Sequence, residues 1–316
     1  MTDLESISFD EVWNTKHISY ADWRKRLKPI YAVVWRDIIL GYAAVITIFV
    51  LSAGFEHYFP SWTIPNVIVS SLVLGVTLAY LSLFIHEAGH FNIHPDKKTN
   101  DLLSNIFLCL PFALDIGTYR KIHWQHHLHL GTPSDTETSY FNALTPALVI
   151  ESFTGIHLLK VIRKKSRFTV NEKMRKRSLS MLILGGMLNI GIVGVFVAFG
   201  YWYLAVEWLT GMIVFFPFFA GLRQILEHRS ELAEKNVDYT QVQHGKITRL
   251  FTSRFFSRVF GGAGFNKHMI HHWDPQMSYT RLKDVEAFLM ESDVTRNLIS
   301  TSRTTYIKTL KKLVSR

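Results

Sequence analysis

Eight of the fifteen histidines fall in three clusters whose spacing is that of metal ligands on helices, and a ninth, His228, stands alone. The eight are His86 and His90 in HEAGH, His123, His126 and His127 in HWQHH, and His268, His271 and His272 in HMIHH. His228 closes the run Gln224-Ile-Leu-Glu-His228. On a helix, positions i, i+3 and i+4 share one face, with β-carbons about 5–6 Å apart. HEAGH can therefore aim two imidazoles at one ion, and each HxxHH triplet can present three. Nine ligands exceed the ordinary coordination number of one ion, so two ions is the expected count. Imidazole suits iron, zinc, copper and nickel, so ligand type leaves the metal open. Glu87, inside HEAGH, is placed to accept an imidazole N–H, a support that metal-bound histidines commonly need. His94 and His129 lie near the clusters as supporting or solvent-facing extras. His17, His57, His157 and His244 belong to no cluster and read as structural.

The elements that position these residues belong to a membrane protein. The chain has 316 residues, 48% of them hydrophobic and 14% aromatic, yet its formal net charge is +10. That combination is natural when charge is confined to loops between membrane spans. The single Cys109 excludes an intrachain disulfide framework and thiolate-rich zinc sites. The first 37 residues are polar, so no cleavable signal is expected and an internal span would direct insertion.

Four apolar runs have the length a bilayer demands: Ile38 to Phe55, Val67 to Ile85, Leu179 to Phe199 and Leu204 to Leu222. The last contains Glu207, close enough to its start for the side chain to be expected to reach water. The expected fold is an all-α integral membrane protein of four transmembrane helices. They form two hairpins, with a helical cytoplasmic cap carrying a dimetal site. The segments are 1–37, cytoplasmic; 38–85, first hairpin; 86–178, cytoplasmic or interfacial with the first two histidine boxes; 179–222, second hairpin; and 223–316, cytoplasmic with His228 and the third box. All thirty-five Lys and Arg fall in the three segments placed inside, and the short connections 56–66 and 200–203 hold none. Both termini are therefore expected in the cytoplasm, of a bacterial inner membrane or the endoplasmic reticulum. Leu102–Leu114 and Ala143–Leu159 are too short to span and read as re-entrant or interfacial helices. The basic tail Tyr306–Arg316 reads as a solvated or membrane-surface helix.

Two rival functions compete on residue types alone. HEAGH fits the HExxH pattern of zinc proteases, in which the glutamate is a general base, with Asp115 as a third ligand. It leaves seven clustered histidines unexplained. A metal transporter would place ionisable groups near the bilayer midplane, where these spans have almost none.

HEAGH, HWQHH and HMIHH, in this order around two hairpins, resemble the three histidine boxes of the membrane fatty acid desaturase and hydroxylase superfamily. The likeness runs from about Ile38 to Asp284, and the stretch from Asn266 to Pro275, with Tyr279 and Leu282, is similar to the third-box region. The resemblance implies two iron ions, non-haem, that activate O2 to remove hydrogen from an unactivated C–H bond. It implies as iron ligands His86, His90, His123, His126, His127, His228, His268, His271 and His272. Gln224 lies where some relatives hold an amide near the metal, and Glu227 and Asn266 join Glu87 and Gln224 as expected supporting groups. Box one has three intervening residues, as in acyl-lipid desaturases. The expected reaction is desaturation of a lipid acyl chain, with lipid or carotenoid hydroxylation or ketone formation as the alternative. No flavin, nicotinamide or haem fingerprint is visible, so a separate ferredoxin or cytochrome b5-like donor is expected, and nucleic acid is not an expected partner. The basic run Arg163, Lys164, Lys165, Arg167, Lys173, Arg175, Lys176 and Arg177 reads first as membrane-surface charge and second as a docking face for an acidic donor.

Overall fold

A computed structural model describes residues 4–156, 160, 171–252, 257 and 260–315. His157 and the basic residues Arg163, Lys164, Lys165 and Arg167 lie outside the described residues. The chain is helical, with one two-residue parallel pair joining Leu250–Phe251 to Arg303–Thr304.

Among the described residues, four helices are long and apolar enough to cross a membrane: α1 (Tyr31–Tyr58), α2 (Thr63–Gly89), α6 (Glu172–Ala198) and α7 (Trp202–His228). Each runs beyond its apolar sequence, because nothing breaks the helix where the hydrophobic run ends. That continuation places His86 and His228 on the same rigid rods as the spans. Between α2 and α6 lie α3 (Lys97–Ser104), α4 (Ile116–His129) and α5 (Pro146–Phe153). After α7 come α8 (His268–Trp273) and α9 (Leu282–Glu291).

The long helices differ in what they touch. Only 6% of the apolar window of α6 is buried, against 50% for the window that includes α2. The outer face of α6 carries Leu182, Ile183, Met187 and Ile190 in the open, and α1 similarly exposes Ile39, Ile46 and Leu51. Such a continuous apolar surface is stable against lipid and costly in water. α1 and α2 run antiparallel: Gly41 lies against Leu81, and Asn66 Nδ2 donates to the Ser52 carbonyl at 3.1 Å. α2 meets α7 where Gly75 faces Phe215. A Cβ on Gly75 would overlap Phe215, whose backbone carbonyl carbon is only 2.9 Å from that position. Phe215 lies in a π-helical turn, Gly211–Phe215, that shifts the face α7 presents to α2.

Glu207 departs from the sequence expectation. It is fully buried rather than water-facing, with Ser52 Oγ donating to it at 2.5 Å and Asn66 donating to Ser52 Oγ at 3.0 Å. A hydroxyl and an amide on neighbouring helices thus replace the water that hydropathy alone assigned to it.

The short apolar stretch 102–114 forms a bent element. The helical run Lys97–Phe112 turns by 84° into α4, with Ala113 at the corner in the left-handed conformation (φ 54°). Asn105 Oδ1 accepts from Ile116 N–H at 2.9 Å, and Asp115 caps α4 by accepting from Thr118 N–H at 2.8 Å. The bend swings α4, with His123, His126 and His127, across the end of the helical bundle remote from the short connections. The amino-terminal residues pack on α8: Trp273 stacks edge-on against Phe9 and donates its indole N–H to the Ile7 carbonyl at 2.8 Å.

Candidate metal centre

Four helices bring the nine histidines together. α2 supplies His86 and, at its C-cap, His90; α4 supplies His123, His126 and His127; α7 ends on His228; α8 supplies His268, His271 and His272. Eight are buried and His127 is partly so.

Their nitrogens sort into two groups. His86, His90, His123, His127 and His271 converge in one, and His126, His228 and His272 in another. Glu227, His228 and His268 form an overlapping set that completes the second. Helix geometry explains the sorting. At about 100° per residue, positions i and i+4 are roughly 40° apart, whereas i+3 and i+4 are roughly 100° apart. So His123 and His127 face one side of α4 while His126 faces the other. On α8, His268 and His272 face the second group and His271 the first. Each HxxHH box thus divides its ligands between two centres.

The spacing within each group is that of a coordination shell. Two nitrogens bound at about 2.0–2.1 Å to one ion lie roughly 2.9–3.4 Å apart, for right-angled to tetrahedral arrangements. In the first group the Nε2 atoms of His90 and His123, His123 and His127, and His127 and His271 are 3.0, 3.0 and 3.3 Å apart. In the second, His228 and His268, then His268 and His272, are 2.7 and 3.2 Å apart.

Protons point outward. His123 Nδ1 lies 2.9 Å from Glu137 Oε1, His126 Nδ1 lies 2.9 Å from Asp135 Oδ1, and His228 Nδ1 lies 2.8 Å from the Ile247 carbonyl. These oxygens only accept, so each Nδ1 carries the hydrogen and each Nε2 presents a lone pair to the cluster. A cation between these rings would satisfy such lone pairs together. His86 makes the same point, since both its ring nitrogens are buried with no hydrogen-bond partner. Burial first, then the charge of neighbouring groups, holds His90, His127, His268, His271 and His272 below the ordinary histidine value. Neutral imidazole is the form that binds metal. His126 differs: burial pushes it down, but the charge and hydrogen bond of Asp135, with the charges of Glu137 and Glu5, together raise it. The donor set therefore fits two first-row transition metal ions.

The supporting residues are partly those expected. Gln224 Nε2 donates to Glu137 Oε2 at 2.8 Å, so its amide acts on the first group through the carboxylate that orients His123. Glu227 Oε2 is 3.9 Å from His268 Nε2, close enough to belong to the ligand set itself. Glu87 faces elsewhere: its Oε2 is 3.3 Å from Tyr279 N and 3.4 Å from Ser278 Oγ. Its distance to His86 Nδ1, 3.8 Å, is too long for the expected hydrogen bond. Asn266 is buried in the turn before the third box, where its backbone N–H meets the Gly261 carbonyl at 3.1 Å.

Sequence reasoning missed Asp135, Glu137 and Tyr140. Tyr140 Oη donates to Asp135 Oδ2 at 2.5 Å, fixing the carboxylate that fixes His126. The available signal was the Asp-Thr-Glu stretch 135–137, two carboxylates within ten residues of a histidine triplet. The protease arrangement is not formed. Asp115 is the cap of α4, Glu87 is turned toward Ser278 and Tyr279, and His86 and His90 share their site with three further imidazoles. His94 pairs with Asp96 N–H, and His244 accepts from Ser230 N–H, both outside the two groups.

Apolar helices of membrane-spanning length, ending at two groups of histidines that could each hold a metal ion, are the features of an integral membrane protein with a candidate dimetal centre. The chain matches the fatty acid desaturase family over residues 60–300, which include all nine histidines and most of the chain, and it belongs to that family. It is an oxidoreductase of the desaturase and hydroxylase type. Comparison with curated proteins returns no match.

Proposed function

We propose that the chain is a membrane-bound non-haem di-iron oxidase that introduces a double bond into a lipid acyl chain, using O2 and two electrons from a separate ferredoxin or cytochrome b5-like donor. The observation that carries this reading is the division of nine histidines into groups of five and four, with Glu227 beside the smaller. In this reading His86, His90, His123, His127 and His271 hold one ion, and His126, His228, His268 and His272 hold the other. Iron bound there supplies the oxygen-dependent chemistry that breaks an unactivated C–H bond.

The chain's own groups orient the ligands and keep the site dry. Glu137, Asp135 and the Ile247 carbonyl fix the Nδ1 protons of His123, His126 and His228. Phe265, itself buried, packs on His86 and on His268 and excludes water from both groups, which protects a reactive site from side reactions. Two hairpins opening on a cytoplasmic cap, with both termini inside, agree with connections 56–66 and 200–203 that lack Lys and Arg. The basic start of α6, with Lys173, Arg175, Lys176 and Arg177, supplies membrane-surface charge and a secondary docking face for the donor.

The test is oxidation of isotopically labelled membrane lipids by purified protein with a donor and its reductase, read by mass spectrometry. New double bonds that depend on O2 support the proposal. New hydroxyl or keto groups would reassign the enzyme within its class. No O2-dependent product with any lipid class would contradict it.

A further inference from the structure

Glu227 is a buried carboxylate on which three parts of the chain converge. It precedes His228 on α7, and its Oε2 lies 3.9 Å from His268 Nε2, inside the set that completes the four-histidine group. One turn earlier on α7, Arg223 forms an ion pair with it, Nε to Oε1 at 3.4 Å. A buried ion pair is well held only where further polar groups complete it. The next such group comes from far along the chain. Tyr306 directs its hydroxyl at the same carboxylate as a hydrogen-bond donor.

The segment around Tyr306 explains how it gets there. Tyr306 opens the helix Tyr306–Val314, whose buried face is Tyr306, Thr309 and Leu313, so one side of the basic tail is docked rather than solvated. Just before it, Arg303–Thr304 pairs with Leu250–Phe251. Arg249 ties that pair to the end of α7, donating to the Leu226 carbonyl at 2.9 Å and the Arg229 carbonyl at 2.6 Å. The Tyr306 ring stacks on Phe251 with centroids 3.7 Å apart and meets Phe260 edge-on at 5.2 Å. Gly261 faces the hydroxyl, and a Cβ at that position would collide with it. A flat ring wedged in this slot aims one donor in one direction.

We propose that Tyr306 is a positioning residue that, together with Arg223, holds Glu227 as the fifth donor of the smaller metal site. This rests on the reading above that the nine histidines hold two ions. Arg223 takes Oε1, which leaves Oε2 turned toward His268. Each ion then has five protein donors, but one set is five neutral imidazoles and the other is four imidazoles with a carboxylate. The charge of Glu227 acts chiefly on the nearer ion, since such attraction falls with distance. A change at Tyr306 is therefore felt by one ion and not by its neighbour.

The experiment measures metal binding rather than turnover. The full chain, in nanodiscs, is titrated with Co2+, which imidazole and carboxylate donors accept. Competition with a fluorescent chelator resolves the two binding steps, and the Co2+ absorption bands report the ligands of each. Tyr306→Phe keeps the ring and removes only the hydroxyl. It is expected to weaken one ion about tenfold, the lower end of what loss of a supporting group costs, and to leave the other unchanged. Glu227→Gln is expected to weaken the same ion, with a shift in the same absorption band. Tyr306→Phe added to Glu227→Gln should then cost little more, because the hydroxyl acts through the carboxylate. Equal weakening of both ions, or a full effect of Tyr306→Phe in the Glu227→Gln background, would overturn the proposal and make Tyr306 a packing residue. No change in either ion would overturn it too, while two Co2+ bound by the wild-type chain would keep the two-ion reading intact. Because no O2 is consumed, variants that behave as expected in a protein that oxidises no lipid would contradict the proposed reaction and leave the role of Tyr306 standing.

Discussion

Arg24 holds Asp274 with two nitrogens, Nε at 2.8 Å and a terminal nitrogen at 2.6 Å, and Tyr20 donates to the same carboxylate at 2.7 Å. Asp274 directly follows α8, the helix that carries three of the nine histidines. The amino-terminal segment is therefore part of the frame of the metal centre, although 250 residues separate the partners. Arg24→Ala leaves Asp274 buried without its cation. Breaking a buried pair costs about 3–5 kcal/mol, and the partial exposure of Arg24 reduces that to about 2 kcal/mol here. The expected outcome is a lower melting temperature together with reduced metal occupancy, measured by thermal unfolding and elemental analysis. Unchanged metal content would show that the clamp braces the fold but not the site.

Asp135 and Glu137 act on different ions in this account, because His126 and His123 belong to different groups. Loss of such a support typically weakens metal binding about 10–100-fold. Asp135→Asn should therefore weaken chiefly the four-histidine site and Glu137→Gln the five-histidine site. Titration with a competing chelator, followed by metal analysis, should show one ion leaving early in each variant. Equal weakening of both ions in both variants would refute the separation.

Metal removal should destabilise the protein without expelling it from the membrane. Ligands that bind only the folded state stabilise it by mass action, about 4 kcal/mol at a thousandfold excess over Kd. The apolar spans do not depend on metal. Chelated protein should thus melt earlier, regain its melting temperature on iron addition, and remain in the membrane fraction after alkaline washing. Release by that wash would contradict the division between spans and metal-held helices.

Much of this arrangement is legible in the chain. Four spans and three histidine boxes are local patterns, an apolar run and an i, i+3, i+4 repeat, and both survive folding unaltered. What escapes is what depends on distant partners. Glu207 meets Ser52 across 155 positions, and Trp273 meets the Ile7 carbonyl across 266. Nothing in the local sequence around either residue names its partner. The split of each HxxHH box between two histidine groups follows from helix geometry only once the flanking helices are in place. Glu87 shows the opposite failure: its neighbours in sequence pointed to an imidazole, but the chain after α8 brought Tyr279 N–H nearer.

Gly75→Val tests the packing of α2 on α7, the two spans that end at the metal groups. The added side chain would collide with Phe215, and overpacking of this kind typically costs about 1–3 kcal/mol. The shift should move His86 relative to His228, so metal content should fall along with stability. Full metal content in a destabilised variant would show that the histidine helices keep their spacing independently of the spans.

The central claim is a pair of iron ions held by nine histidines, and metal content per polypeptide tests it most directly. Mass spectrometry of the detergent-purified protein should give about two irons per chain, the number set by two separate ligand groups. His127→Ala and His271→Ala should each lower that figure while leaving the protein in the membrane. A single zinc per chain, unaffected by either substitution, would contradict the account.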